Sequence, residues 1–203
     1  KRGPENSIIL KPDKDTLIGF HRLAINGLNE QANQPLKIND IILICNGEIY
    51  NYNELYKMMD IEPTTDSDCE VIIHLYKKYG IEQTLQMIDG VFAFMLFDFS
   101  DNCNETIYIA RDPYGVRPMY CFYSQDSLTE IAGFASDLDC LHGIYADYSN
   151  KNTNKCKLTH FEPGTFAHYS RKDKEENWKY EYNRKYNSIG FDSITTYNNY
   201  DKR

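Results

Sequence analysis

The chain has 203 residues, with 30 acidic against 22 basic side chains, a formal net charge of -8 and six cysteines. Its Lys and Arg are scattered, and the one rich stretch, residues 171–185, carries Asp and Glu among them, which disfavours nucleic acid or an anionic membrane as a partner. No apolar run approaches bilayer-spanning length, no signal peptide opens the chain, and no Cys-x-x-Cys pair or Cys/His ligand spacing occurs, so the expectation is a cytoplasmic protein with free thiols, no disulfide framework and no metal.

In chain order, short runs rich in β-branched and aromatic residues predict strands over 7–10, 17–23, 41–45, 91–97, 106–110, 119–123, 130–135 and 165–169. A short helix is expected over 53–59. Val71, Ile72, Leu75 and Tyr76 recur at helical spacing and predict a longer one over 68–79, with Ser67 and Asp68 as capping candidates and a stop at Gly80. A third helix is expected over 81–87. Many strands with few helices predict an α+β domain with two packed sheets, not a doubly wound one. After Ser170 the composition turns to charge and then to Tyr and Asn, which reads as a linker or loosely ordered tail over 171–203.

The most informative stretch is Cys45-Asn46-Gly47-Glu48-Ile49-Tyr50-Asn51, because an apolar run delivers an amide, a glycine and a carboxylate in succession. Asn-Gly alone is a turn signal. A rigid strand end can equally aim a side-chain amide and a backbone N–H at one point, as acyl transfer requires for an oxyanion. Arg22 lies within a strand pattern, where its planar guanidinium suits a carboxylate, or simply lays its stem on the sheet. Asp68 stands at a helix start, as a cap or facing a ligand. Arg22, Glu48 and Asp68 together supply one cation and two anions, the complement of an α-amino acid zwitterion.

Seven segments occur in one family's order: Arg2-Gly3-Pro4-Glu5, residues 20–25, Asn33-Gln34-Pro35-Leu36, residues 46–51, Thr65-Asp66-Ser67-Asp68-Cys69-Glu70-Val71-Ile72, Asp89-Gly90-Val91-Phe92-Ala93-Phe94 and Ala110-Arg111-Asp112-Pro113-Tyr114-Gly115-Val116-Arg117-Pro118. Together they resemble the class II glutamine amidotransferase domain, most closely the glutaminase domain of asparagine synthetase, over residues 1–170. The resemblance implies an N-terminal-nucleophile hydrolase fold, two antiparallel sheets sandwiched between helices. It implies that Arg22 binds the α-carboxylate of L-glutamine, that Glu48 and Asp68 take its ammonium, and that the Asn46 amide and the Gly47 N–H form the oxyanion hole. Asp66 before Ser67 and Asp137 after Ser136 depart from the family's usual residues without removing a proposed contact.

The family's nucleophile is a cysteine at the mature N-terminus, ahead of the segment that begins here at Lys1. By this reading the chain lacks it and is expected to be inactive alone. Cys45 neighbours the site but alternates with Asn46 and is expected to be a core thiol. The Ser-Gly-Gly-x-Asp-Ser phosphate loop of the family's synthetase domain is also missing, so ATP and Mg are expected only there. The implied function is glutamine hydrolysis to glutamate and ammonia for the amidation of aspartate, with an ammonia-accepting synthetase domain as partner and a homodimer allowed. The alternatives are a non-catalytic glutamine-binding or protein-interaction module and another class II amidotransferase.

Overall fold

The computed structural model describes residues 6–22, 32–101, 103–124, 132–151 and 156–187. Of the expectations above, the Arg2 to Glu5 motif, Leu23 to Ile25, Glu130 and Ile131, and the tail from residue 188 lie outside the described residues. Strands β1 (Asn6–Leu10) and β2 (Ile18–Arg22) form an antiparallel hairpin. The main sheet is antiparallel and six-stranded, in the order β11 (Lys179–Lys185), β10 (Thr165–Arg171), β6 (Glu105–Arg111), β5 (Gly90–Asp98), β4 (Ile41–Ile49) and β3 (Leu36–Ile38). A third, three-stranded sheet sets β7 (Tyr120–Ser124) between β8 (Ala132–Ala135) and β9 (Cys156–His160). The helices are α1 (Tyr52–Met59), α2 (Val71–Met87) and α3 (Asp139–Lys151).

Period-two alternation along the central strands divides the core in two. Leu43, Cys45 and Ile49 of β4 enter one apolar cluster with Leu55 and Met59 of α1 and Ile72 and Leu75 of α2. Ile42 faces the other way, into a cluster with Ile18 of β2 and Met119 and Cys121 next to or within β7. Beyond β7, Phe122 meets Tyr145 and Tyr148 of α3 edge-on. The fold is α+β with antiparallel sheets, as expected, although the described strands form three sheets and not two.

Helix α2 carries helical geometry on both sides of Gly80, whose φ of 77° breaks the spiral. Only glycine adopts such a conformation readily, so the expected stop and restart both occur. The expected cap does not. Neither Ser67 nor Asp68 makes a side-chain cap, and the chain enters α2 through a 3₁₀ turn over Asp68–Glu70. The strand over 41–45 also runs on to Ile49, so Asn46-Gly47 is not a turn: β5 pairs with all nine residues and carries them straight through.

The expectation of a loosely ordered tail fails for its first part. Residues Lys179–Lys185 pair with β10 through the backbone, and Arg184 and Tyr186 tie them back to Glu82 and to the Arg111 carbonyl. Exposed Lys, Glu and Arg on this edge strand discourage further strand addition.

Entry into α2 is held by Glu70, which is fully buried. One carboxylate oxygen accepts the Thr64 N–H and hydroxyl, each at 2.8 Å, and bonds His74 Nε2 at 3.0 Å, while the other accepts the Thr65 N–H at 2.6 Å. Burial works to raise this carboxyl, but the bonds from His74, Thr65 and Thr64 together outweigh it and hold it down at about 2 against an ordinary 4.5. A depressed carboxyl stabilises the fold above its unfolded value and ceases to do so as pH falls through its folded one. Glu70→Gln is therefore expected to cost about 2 kcal/mol at pH 7 and to flatten the loss of stability between pH 4.5 and 2, measured by denaturant melts across that range. An unchanged pH profile refutes the assignment.

Candidate glutamine site

Beyond Leu36↔Leu43 the β3–β4 pairing stops, and among the described residues the outer edge of β4 continues without a neighbouring strand. Its backbone groups are met by side chains. At Cys45 the N–H donates to Gln34 Oε1 at 2.6 Å and the carbonyl accepts from Gln34 Nε2 at 2.9 Å, so one amide side chain imitates a strand. At Ile49 the N–H donates to Asp68 Oδ2 at 2.6 Å. Asp68 lies in the 3₁₀ turn rather than capping it.

Gly47 sits midway, with the same parity. Opposite it on β5, Phe92 points both backbone groups toward β6, accepting the Asp112 N–H at 2.7 Å and donating to Asp112 Oδ2 at 3.3 Å. Residues of an antiparallel strand alternate between pairing with one neighbour and the other, so the Gly47 N–H turns outward with those of Cys45 and Ile49. The Gly47 carbonyl on the same edge receives the Cys69 thiol at 3.9 Å. A side chain here is forbidden: a Cβ on Gly47 would fall on the Val91 carbonyl oxygen and lie 2.7 Å from Phe92 Cα.

Asn46 and Glu48 project from the other face of β4, opposite Ala93 and Val91. Both are half-buried and have no hydrogen-bond or ion-pair partner among the described residues. Arg22, the last residue of β2, is 9% exposed and donates from Nη1 to Asn33 Oδ1 at 2.5 Å. Arg22, Asn46, Gly47, Glu48 and Asp68 all line one cleft of about 2250 Å³ between the sheets. That exceeds the volume usual for a small-molecule site, so an amino acid fits with room for a reacting group. Asn33 and Gln34, which hold Arg22 and β4, carried no role in the sequence reading beyond their motif. Two adjacent amides just ahead of a strand were the available signal.

Cys45 faces the helices, as alternation with Asn46 predicts, and is 3% exposed. Its neighbour Cys69 is 2% exposed, and a hydrogen bond with Cys45, then burial, push the Cys69 thiol well above the ordinary range, so it stays protonated. Both residues border the cleft, but their side chains are buried in the helix-side cluster. Among the described residues no group of three His, Cys, Asp or Glu could hold a metal ion.

The Arg111 to Pro118 motif does structural work. Asp112, fully buried, accepts backbone N–H groups from Tyr114, Val116, Arg117 and Phe92. Arg111 donates to the carbonyls of Arg117, Phe161 and Gly115. The loop is thereby fixed at the start of β5, against Phe92, one residue from Ala93, the position opposite Asn46.

The profile of the glutamine amidotransferase domain matches residues 1–178. The chain is 40% identical over 147 residues to a probable glutamine-hydrolysing asparagine synthetase of Acanthamoeba polyphaga mimivirus, which covers 70% of this chain and 26% of that protein. Over 168 residues it is 37% identical to the glutamine-hydrolysing asparagine synthetase of Mesocricetus auratus and 36% identical to that of Homo sapiens. Each of those matches covers 79% of this chain and 27% of the relative. The chain thus spans about a quarter of the length of these curated relatives. With the matching profile over most of its length, and with asparagine synthetases among its relatives, the chain belongs to the glutamine amidotransferase domain family.

Proposed function

We propose that the cleft binds L-glutamine and that the intact gene product hydrolyses its side-chain amide. The observation that carries this reading is the outward Gly47 N–H, flanked by edge positions that Gln34 and Asp68 already fill, beside the unpartnered Asn46 amide. Arg22 takes the α-carboxylate, and Glu48 with the remaining lone pairs of Asp68 takes the ammonium. The carboxamide then lies against β4. A thiolate adds to the carboxamide carbon, a C–S bond forms, and the carbonyl electron pair moves to oxygen, where Asn46 Nδ2 and the Gly47 N–H donate to the oxyanion. Collapse expels ammonia as it gains a proton, and water cleaves the thioester to glutamate. The resemblance implies an N-terminal cysteine as nucleophile with its own α-amine as base; Cys45 faces away and is not that group.

The layering of helices around two facing sheets supports an N-terminal-nucleophile hydrolase fold. The names of the relatives support delivery of the ammonia to a synthetase domain that amidates aspartate. ATP and magnesium belong to that domain in this reading. The cleft does not fit a polyphosphate, because the carboxylates of Asp15, Glu48, Asp68, Asp137 and Asp139 outnumber the cations Arg22, Arg117 and Lys157 along its walls, and no step here runs through ATP. Six free cysteines fit a cytoplasmic setting.

At a glutamine concentration 100 times its Kd, the melting temperature of the chain is expected to rise by about 5–10 °C, and Arg22→Ala to abolish the rise in a thermal-shift titration. A chain indifferent to glutamine contradicts the binding site. In the full-length gene product, Asn46→Ala is expected to lower glutaminase kcat by about a hundredfold or more while KM moves little. Equal losses of binding and turnover remove Asn46 from the oxyanion hole, and binding without any wild-type hydrolysis leaves a binding module.

A further inference from the structure

The structure assigns to two adjacent residues, Asn33 and Gln34, the separate positioning of the two halves of the glutamine site. This inference rests on the function proposed above and adds residues that do not themselves touch substrate. Asn33 Oδ1 receives Nη1 of Arg22 at 2.5 Å, which fixes the guanidinium that faces the α-carboxylate. Gln34 spends both ends of its amide on Cys45, at 2.6 and 2.9 Å, immediately before the two oxyanion donors. Among the described residues no strand lies beside β4 at Cys45, because β3 ends its pairing at Leu43. Without Gln34 the supports left on that edge are the long Cys69 thiol contact to the Gly47 carbonyl, at 3.9 Å, and the Asp68 bond at Ile49, and the segment carrying Asn46 and Gly47 would be able to tilt. Oxyanion donors must be within a few tenths of an ångström of their working place to act.

The consequence is a division of labour readable in kinetics. Asn33 bears on ground-state recognition of the amino acid, because it orients a binding group. Gln34 bears on the transition state, because it orients groups whose bonds strengthen only as the oxyanion forms. Two neighbours in sequence should therefore give opposite signatures.

The experiment measures glutaminase kcat and KM in the full-length gene product. Asn33→Ala is expected to raise KM about tenfold with kcat nearly unchanged. Gln34→Met, which keeps the bulk and loses both bonds, is expected to lower kcat by about 10- to 100-fold with KM nearly unchanged. Gln34→Glu supplies a control against simple misfolding. Ionised, its carboxylate still accepts from the Cys45 N–H but repels the Cys45 carbonyl; protonated, it can donate to that carbonyl and restore the pair. The ratio of Gln34→Glu to wild-type kcat is therefore expected to climb as pH is lowered from 8 to about 5. A flat ratio, or KM and kcat falling together in both neighbours, overturns the inference while wild-type turnover leaves the proposed function standing. A wild-type protein that does not hydrolyse glutamine overturns both.

Discussion

A sheet edge that, among the described residues, has no neighbouring strand is the constraint from which the site follows. A strand's outward N–H and C=O groups must find partners, and in most proteins another strand, a loop or water supplies them. Here β4 outruns β3, and the positions beyond are met one at a time by a glutamine amide, a thiol and a carboxylate. What remains among the described residues is the N–H of Gly47, with positions on either side met by Gln34 and Asp68. A donor of this kind needs no reorganisation when charge develops near it, which is why fixed dipoles in such places stabilise anions better than water does.

The same strand links packing to chemistry through its two faces. Cys45, Gly47 and Ile49 belong to the helix side, where Phe92 covers Gly47 and the helices cover the rest. Asn46 and Glu48 belong to the cleft side, opposite the small Ala93 and Val91, which leave space above them. Core and cleft are thus alternate residues of one strand, and any slip in register would exchange them. The nine-residue pairing with β5 and the Asp112 loop that fixes the start of β5 both act against such a slip.

Much of this was legible in the sequence, and the misses have physical causes. The long strands announced themselves by β-branched and aromatic runs, and Gly80 was readable as a break because few other residues tolerate its geometry. Strand β3 has only three residues, too few for a period to show. Helix α3 buries little beyond Leu141, so its polar composition hid it. Strand β11 is exposed at nearly every position and holds by backbone pairing, which leaves no hydrophobic signature. The residue types of Arg22, Glu48 and Asp68 suggested a zwitterion site, but their convergence came only with a family's pattern and then with coordinates. The holding roles of Asn33 and Gln34 depend on tertiary hydrogen bonds across eleven residues of sequence each, which no local pattern encodes.

The glycine at position 47 has two independent reasons to be there, and they would be selected differently. One is the outward N–H; the other is the Val91 carbonyl oxygen with Cα and Cβ of Phe92, which sit where a side chain would start. The packing reason persists whether or not anything is ever bound in the cleft. A descendant that had lost turnover would still be held to glycine by its core, so among relatives this glycine diagnoses the sandwich rather than the enzyme, and loss of chemistry would first be visible at Asn46.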